Sequence, residues 1–433
     1  MSPEATGVAG IVALLALFLL RVPIAFAMMM VGFGGFAALS GTAPALALLP
    51  QDLFDTFTSY PLSVIPMFIL MGAFAFASGI SERLFAAAYA WVGGLRGGLT
   101  IATVLACAGF AAICGSTAAT AATMGKIALP EMKRYGYDDT LATGAVAAAG
   151  TLGILIPPST VFIVYAILTE ESIGKLFIAG IVPGILLTLL FIATVALLCA
   201  AKPQLGPPGP ATSLAAKLKA TRGIVEALLL FVLAIGGLML GWFSPTQAGA
   251  IGAGGALAIG LARRKLSWKS FVQAGREGLA TSCMVMFIIA GAIVFGHFMA
   301  VSKIPFTLAD WVGELPPHRM AIMGVIIVIY FLGGFFMDSM ALIVVTLPIF
   351  YPVVRKLGFD PIWFGVMIVL LCEMGVITPP VGVNVFVIKG IAPDVPLYRI
   401  FRGIFPFLGA IVLLTVTILF VPGIATFLPG LVK

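Results

Sequence analysis

Apolar stretches of about 20 residues, the length a helix needs to cross a bilayer, recur along nearly the whole chain. A sequence patterned this way cannot fold around one buried core. Charged residues are 9% of the 433, against about 25% in a soluble domain, so too little charge is present to cover a water-facing surface. The pattern predicts an all-α polytopic membrane protein with no soluble domain of useful size.

A net charge of +7 invites a nucleic-acid partner, but the basic residues are dispersed or sit in short loops between apolar runs. That distribution fits the positive-inside rule instead. The two densest basic stretches are Lys202, Lys217, Lys219 and Arg222, then Arg263, Arg264, Lys265, Lys269 and Arg276. Both are expected to face the cytoplasm of a multi-pass protein. The first apolar run has Glu4 before it and Arg21 after it, the reverse of a secretory signal; it reads as a retained span with its N-terminus outside. Five cysteines lie inside apolar runs without C-x-x-C spacing, and only two histidines accompany them. Neither a disulfide scaffold nor a zinc site is expected.

The only linker-like segment, KPQLGPPGP at 202–210, divides the chain. Before it, spans are expected near 176–200, 141–169 and 61–78, with two more before Asp52. After it they fall near 224–241, 248–262, 278–301, 361–389 and 404–428, about ten full spans in all. Runs 99–130 and 320–354 are interrupted at their middles by polar residues and glycines, and each reads as a re-entrant hairpin. The resulting division is N-terminal scaffold helices 1–60, a first repeat 61–200, a linker with two scaffold helices 201–276, and a second repeat 277–433.

The halves are copies. IALPEMKRYGYD at Ile127 matches IFYPVVRKLGFD at Ile349, and GILIPP at Gly153 matches GVITPP at Gly375, both 222 positions apart. Upstream, MFILMGAFAF at Met67 pairs with MFIIAGAIVF at Met286, and Trp91-Val92-Gly93 with Trp311-Val312-Gly313. An odd number of spans between equivalent points inverts one copy. Inverted repeats with broken helices mark secondary transporters, whose sites lie near the midplane where the copies meet.

Each half presents a polar hairpin tip, CGSTAAT (114–120) or GGFFMDSM (333–340), followed by a span broken at Pro-Pro, GTLGILIPPST (150–160) or GVITPPVGVN (375–384). A proline pair removes two amide donors and leaves carbonyl oxygens that lipid cannot satisfy. Such oxygens, with tip hydroxyls, suit a hard cation such as Na⁺, while half-helix N-termini favour an anionic solute. A kink in packed helices is the plainer reading of one Pro-Pro, and recurrence at matched positions argues against it. Asp338, a carboxylate in an apolar run, is a functional candidate, with snorkelling or a structural salt bridge as the alternative. Glu373 is either a proton or cation ligand or a structural hydrogen-bonding group; its repeat partner is Thr151. Ser159, Thr160 and Asn384, directly after the proline pairs, are candidates for solute contact or for local helix capping. His297 reads as a packing residue, and Lys126 and Lys389 as snorkelling side chains.

The stretch CGSTAATAATMGKIALPEMKRYGYD, then GTLGILIPPST and GVITPPVGVNVFV, resembles the large membrane subunit of TRAP transporters, the DctM family, over essentially the whole chain. The resemblance implies a sodium-coupled, elevator-type carrier of organic acids in the bacterial inner membrane. It also implies two partners, a small four-helix membrane subunit and a periplasmic substrate-binding protein. One Na⁺ would lie between the Gly115-Ser116 tip and Gly153, Ile156 and Pro158; a second would lie between the Asp338-Ser339 tip and Gly375, Thr378 and Pro380. Solute would sit near Ser116, Ser159 and Asp338. Cys114 stands where the family often has Ser. Only two short spans precede the first repeat, so the small subunit is expected as a separate chain. No organic cofactor and no enzymatic activity are expected.

Three other readings remain open. A stand-alone carrier or antiporter of the same superfamily would need no binding protein. An intramembrane enzyme would need clustered ionisable groups at a membrane face, and the charges here are sparse. A channel would build its filter from re-entrant loops around one oligomeric pore.

Overall fold

The computed structural model describes residues 2–210, 212–314 and 319–431. Among the described residues the structure is helical, without strands. It opens with α1 (Pro3–Leu19), α2 (Ile24–Ser40) and α3 (Thr42–Thr58), and a short turn at Pro61–Ser63 leads into α4 (Val64–Ala77). Pro61 has no amide hydrogen and starts a new turn rather than continuing the old one; the pair Thr42–Thr58 and Pro61–Ala77 is bent by 55°. Gly79, at φ +70°, supplies the left-handed corner before α5 (Ile80–Val92).

The first hairpin is α6 (Gly98–Cys114) and α7 (Thr117–Arg134). The first interrupted span follows as α8 (Asp139–Ala149), α9 (Leu152–Leu155) and α10 (Thr160–Thr169), then α11 (Ile173–Ala201). Beyond the linker, α12 (Leu214–Phe231) passes through a wider turn at Val232–Gly236 into α13 (Gly237–Met239), and α14 (Pro245–Ala262) starts at a Ser244–Gln247 capping box. α15 (Trp268–Val301) and α16 (Ile304–Glu314) precede the second hairpin, α17 (Arg319–Gly333) and α18 (Ser339–Lys356). The second interrupted span is α19 (Pro361–Gly375) and α20 (Val383–Ile391), and α21 (Leu397–Phe420) and α22 (Gly423–Leu431) complete the chain. Asp138 and Asp360, paired by the sequence repeat, cap α8 and α19 through the same contact to the third amide on.

Among the described residues, six helices are long and apolar enough to cross a membrane, or seven with the bent pair as one span. Local breaks shorten other apolar runs into helices of 15–17 residues, Pro3–Leu19, Ile24–Ser40 and Pro361–Gly375 among them. The turn before Ile24 and the left-handed Gly41 limit α1 and α2 to 17 residues each, and the second break leaves α19 with 15. Conversely, α15 starts ten residues before the expected 278. The amphipathic α5 and α16, which hydropathy alone passes over, occupy matching places before the two hairpins.

The hairpins open at opposite ends of α11, whose 29 residues span roughly 43 Å. At its linker end, Gly97 and Asp138 donate their amides to Gly206 and Leu205 of the linker, and the amide of Gly209 donates to Gly93. At its other end, Glu171 accepts from Tyr351 of α18 at 3.0 Å and pairs with Arg355. The interrupted spans form the centre. Asp139–Thr169 is 78% buried along its most apolar stretch, against 33% for Ile173–Ala201, so α11 turns much of its apolar surface outward.

Candidate solute and cation site

Each hairpin tip is clamped onto an interrupted span by a glycine. A Cβ on Gly153 would fall 2.4 Å from the Ser116 carbonyl oxygen; one on Gly375 would fall 2.6 Å from the Gly334 Cα and 2.7 Å from its oxygen. Only glycine allows main chain to approach main chain this closely. Gly115, at φ +67°, is similarly pressed on the Pro158 carbonyl, with a Cβ–oxygen distance of 2.6 Å. The first tip is therefore sealed from both sides. The Thr160 hydroxyl donates to the Gly115 carbonyl at 3.0 Å, and the Thr120 hydroxyl to the Ser116 carbonyl at 2.8 Å.

The proline pairs lie at 156–159 and 376–382, and both Pro-Pro bonds are cis. Among the described residues, no amide or side chain donates to the carbonyls of Ile156, Pro157 and Pro158, nor to those of Thr378, Pro379 and Pro380. These are the bare oxygens expected from the missing prolyl amides. The two breaks differ in exposure: Pro157 and Pro158 are buried, whereas Pro380 is exposed.

The expected ligands divide. Ile156 and Pro158 keep free carbonyls, while those of Gly115, Ser116 and Gly375 are occupied, the last by the Thr378 amide. The Ser116 and Asp338 side chains are helix N-caps at equivalent positions, Ser116 accepting from Ala119 and Asp338 from Met340 and Ala341. The Thr378 hydroxyl donates to the Met374 carbonyl at 2.5 Å, and Ser339 is buried with its hydroxyl unpartnered among the described residues. The residue against Gly375 is Gly334, not Asp338 or Ser339 as the repeat alone suggested. The first tip spans two residues and the second five, so register drifts on the α17 side; the GG of GGFFMDSM was the available signal.

Between the tips lies a cavity of about 460 Å³, bounded also by α4 and α15. Ser116, Thr160, Asp338 and Ser339 line it; Ser159 and Asn384 do not. Ser159 is buried and caps α10, accepting from Phe162 at 3.2 Å. Asn384 is buried and donates its side-chain amide to the Ala147 carbonyl at 3.1 Å, tying α20 to α8. Their capping and bridging geometry replaces the solute contact expected from sequence.

Lys126 lines the same cavity, with Glu277 of α15 in its wall, rather than snorkelling away. Lys389 turns onto the carbonyls of Pro393 and Val395. His297 meets Asp52 at 3.2 Å, a partner sequence reading had not supplied. Glu373 is fully buried, and neither oxygen has a hydrogen-bond partner among the described residues. Among the described residues no group of three or more His, Cys, Asp or Glu side chains converges.

Two clamped hairpins and two interrupted helices around a cavity in an apolar helical chain are the arrangement of a membrane transporter. The chain belongs to the DctM component family of the tripartite ATP-independent periplasmic transporters, whose model matches residues 11–424. Over 90% of its length it is 39% identical to the C4-dicarboxylate TRAP transporter large permease protein DctM of Pseudomonas aeruginosa, of which it covers 93%. It is 32% identical to the ectoine/5-hydroxyectoine large permease protein UehC of Ruegeria pomeroyi, with 96% and 97% of the two chains covered. To the sialic acid large permease protein SiaM of Vibrio cholerae it is 28% identical over 96% and 97%. Its fold is similar to that of the YdaH transporter of Alcanivorax borkumensis, with TM-score 0.66, 17% identity and 88% and 89% coverage. The chain is thus a large permease of the TRAP type, an integral membrane transport protein.

Proposed function

We propose that this permease imports a small organic acid by Na⁺-coupled secondary transport. It would work in the bacterial inner membrane with a separate small four-helix subunit and a periplasmic binding protein that delivers the solute. The observation that carries the reading is the doubled clamp, Gly153 against Ser116 and Gly375 against Gly334, each beside bare carbonyls, with Ser116 of the first tip and Asp338 and Ser339 of the second lining one cavity. Relatives named for C4-dicarboxylate and sialic acid transport supply the solute class.

The residues present fit Na⁺. Ile156 and Pro158 in one half, and Thr378 and Pro380 in the other, offer neutral oxygens without competing donors, the ligand type hard cations take. Gly115, Ser116 and Gly153 pack beside the first pair of oxygens, and Gly375, held against Gly334, lies beside the second; Asp338 and Ser339 face the cavity from the second tip. Bound there, Na⁺ supplies its gradient as the driving force. The chain itself encloses the solute between Ser116, Thr160 and Asp338 and excludes lipid from the broken backbone. The cavity runs from the tips to Lys126 and Glu277, on helices leading to the basic, cytoplasm-facing loops, so the structure reads as an inward-open state. The clamped hairpins and interrupted spans would move as one body past α4 and α15 in an elevator motion.

The test is uptake by proteoliposomes containing the permease and its two partners, with and without a Na⁺ gradient. Accumulation of a carboxylate that requires the gradient and the binding protein is expected. Gradient-independent uptake, or full uptake by the permease alone, would reject the coupling or the tripartite arrangement respectively.

A further inference from the structure

Ser116, Ala119, Ala122, Thr123 and Lys126 recur at three- and four-residue spacing on α7, one helix face, and all line the cavity. Four of the five are small or hydroxylic, and only Lys126 carries charge. Ten residues separate it from the Ser116 tip, roughly 15 Å along the helix. Cα–Cβ bonds tilt towards a helix's N-terminus, so the Lys126 side chain leaves α7 on the side of the tip.

Among the described residues no other Lys or Arg lines this cavity. Lys126 is exposed and makes no hydrogen bond or ion pair among the described residues. The two carboxylates of the wall are already engaged. Asp338 caps α18, and Glu277 accepts from the Gln273 amide at 2.9 Å. A free ammonium beside a largely apolar cavity is a strong donor for an anionic oxygen, because hydrogen bonds between charged partners are shorter and stronger than neutral ones.

We propose that Lys126 reads the charge of the solute, its ammonium taking a carboxylate oxygen while the rest of the molecule lies towards the Ser116 and Asp338 tips. The cavity then selects solutes with a free anionic group and passes over net-neutral ones. This rests on the carrier reading above and adds the residue that sets its preference. The sequence repeat offers no second such residue, since Pro348 occupies the matching position.

The experiment measures binding of succinate, N-acetylneuraminate and ectoine to the purified permease in nanodiscs, by calorimetry and thermal shift, for wild type, Lys126→Gln and Lys126→Arg. At least one of the two acids should bind the wild type, ectoine should bind more weakly, and Lys126→Gln should raise the acid's Kd roughly tenfold or more. Lys126→Arg should retain most of the affinity, which separates loss of charge from misfolding. Equal affinity of wild type and Lys126→Gln, or no acid binding to the wild type, overturns the proposal. Vesicle uptake separates the two readings. Acid binding without any uptake alongside the partners sinks the carrier reading and leaves the anion site. Gradient-driven uptake that is unchanged in Lys126→Gln sinks the anion site and leaves the carrier.

Discussion

The two halves answer one physical problem, how to keep a broken helix inside a bilayer, with different tightness. The first tip is a two-residue corner locked by Gly115, Gly153 and two threonine hydroxyls, over a buried proline pair. The second is a five-residue tip capped by a carboxylate, over a seven-residue break whose Pro380 is exposed. Upstream the contrast reverses, for α3 and α4 bend by 55° where α15 runs unbroken for 34 residues. Repeat symmetry thus preserves where the backbone is bare and leaves each half free to choose how firmly it is held.

The largest expected effect comes from filling the clamps. Gly153→Val should abolish gradient-driven uptake and cost about 1–3 kcal/mol, read as a lowered Tm in detergent, because main chain opposes the new side chain. Gly375→Val should lose less, since the longer second tip can yield; equal losses would erase the asymmetry. Next come the two caps. Ser116→Ala and Asp338→Ala should each stop Na⁺-driven uptake while the protein stays folded, at about 1 kcal/mol. Asp338→Asn, which retains a capping oxygen, distinguishes the cap from the charge: full uptake by Asn assigns Asp338 to capping alone. Cys114→Ser should transport normally.

A smaller difference concerns the amphipathic helices before the hairpins. Arg83 of α5 and Arg263, just after α14, converge on the half-buried Glu226 of α12, whereas α16 is tied by the exposed pair Asp310–Lys356. Glu226→Ala should destabilise by about 1.5–3 kcal/mol and Asp310→Ala should leave Tm unchanged within error. The reverse order would mean that the second half is the firmer one. The smallest effect involves Lys133 and Asp394, which join the base of the first hairpin to the α20–α21 turn. The hydrogen bond from Lys133 holds the Asp394 carboxyl below its ordinary range. Its contribution is therefore present above the unfolded pKa and lost as pH falls through the lower folded value. The pair is exposed, so Asp394→Asn should flatten only a slight acid-side decline in Tm.

Proline and glycine made the frame legible before any coordinates. The breaks at Pro157–Pro158 and Pro379–Pro380 and the tips at 114–120 and 333–340 stand where the residues forced them, since backbone chemistry acts locally. What lay hidden depended on the third dimension. Asn384 follows a proline pair as a solute ligand would, yet its amide is spent on Ala147. Lys126 reads in the sequence as a terminal side chain reaching for lipid headgroups, and only the cavity that α7 shares with α4 and α15 shows that it lines an interior space. Hydropathy also averages across the corners before Ile24 and at Gly41 and Val376, so it places apolar stretches better than it places the ends of helices.

The bond from Asn384 to Ala147, with the Tyr165 hydroxyl donating to the Pro361 carbonyl at 2.6 Å, stitches each interrupted helix to its counterpart. Gly144 and Gly403 in turn seam the first interrupted span to α21, where a Cβ on Gly144 would fall 2.3 Å from the Gly403 backbone. Neither helix is a free lever, and a force applied to one is borne by the other. Whatever displaces this core must shift it whole, so the mechanical compliance of the molecule is confined to its rim.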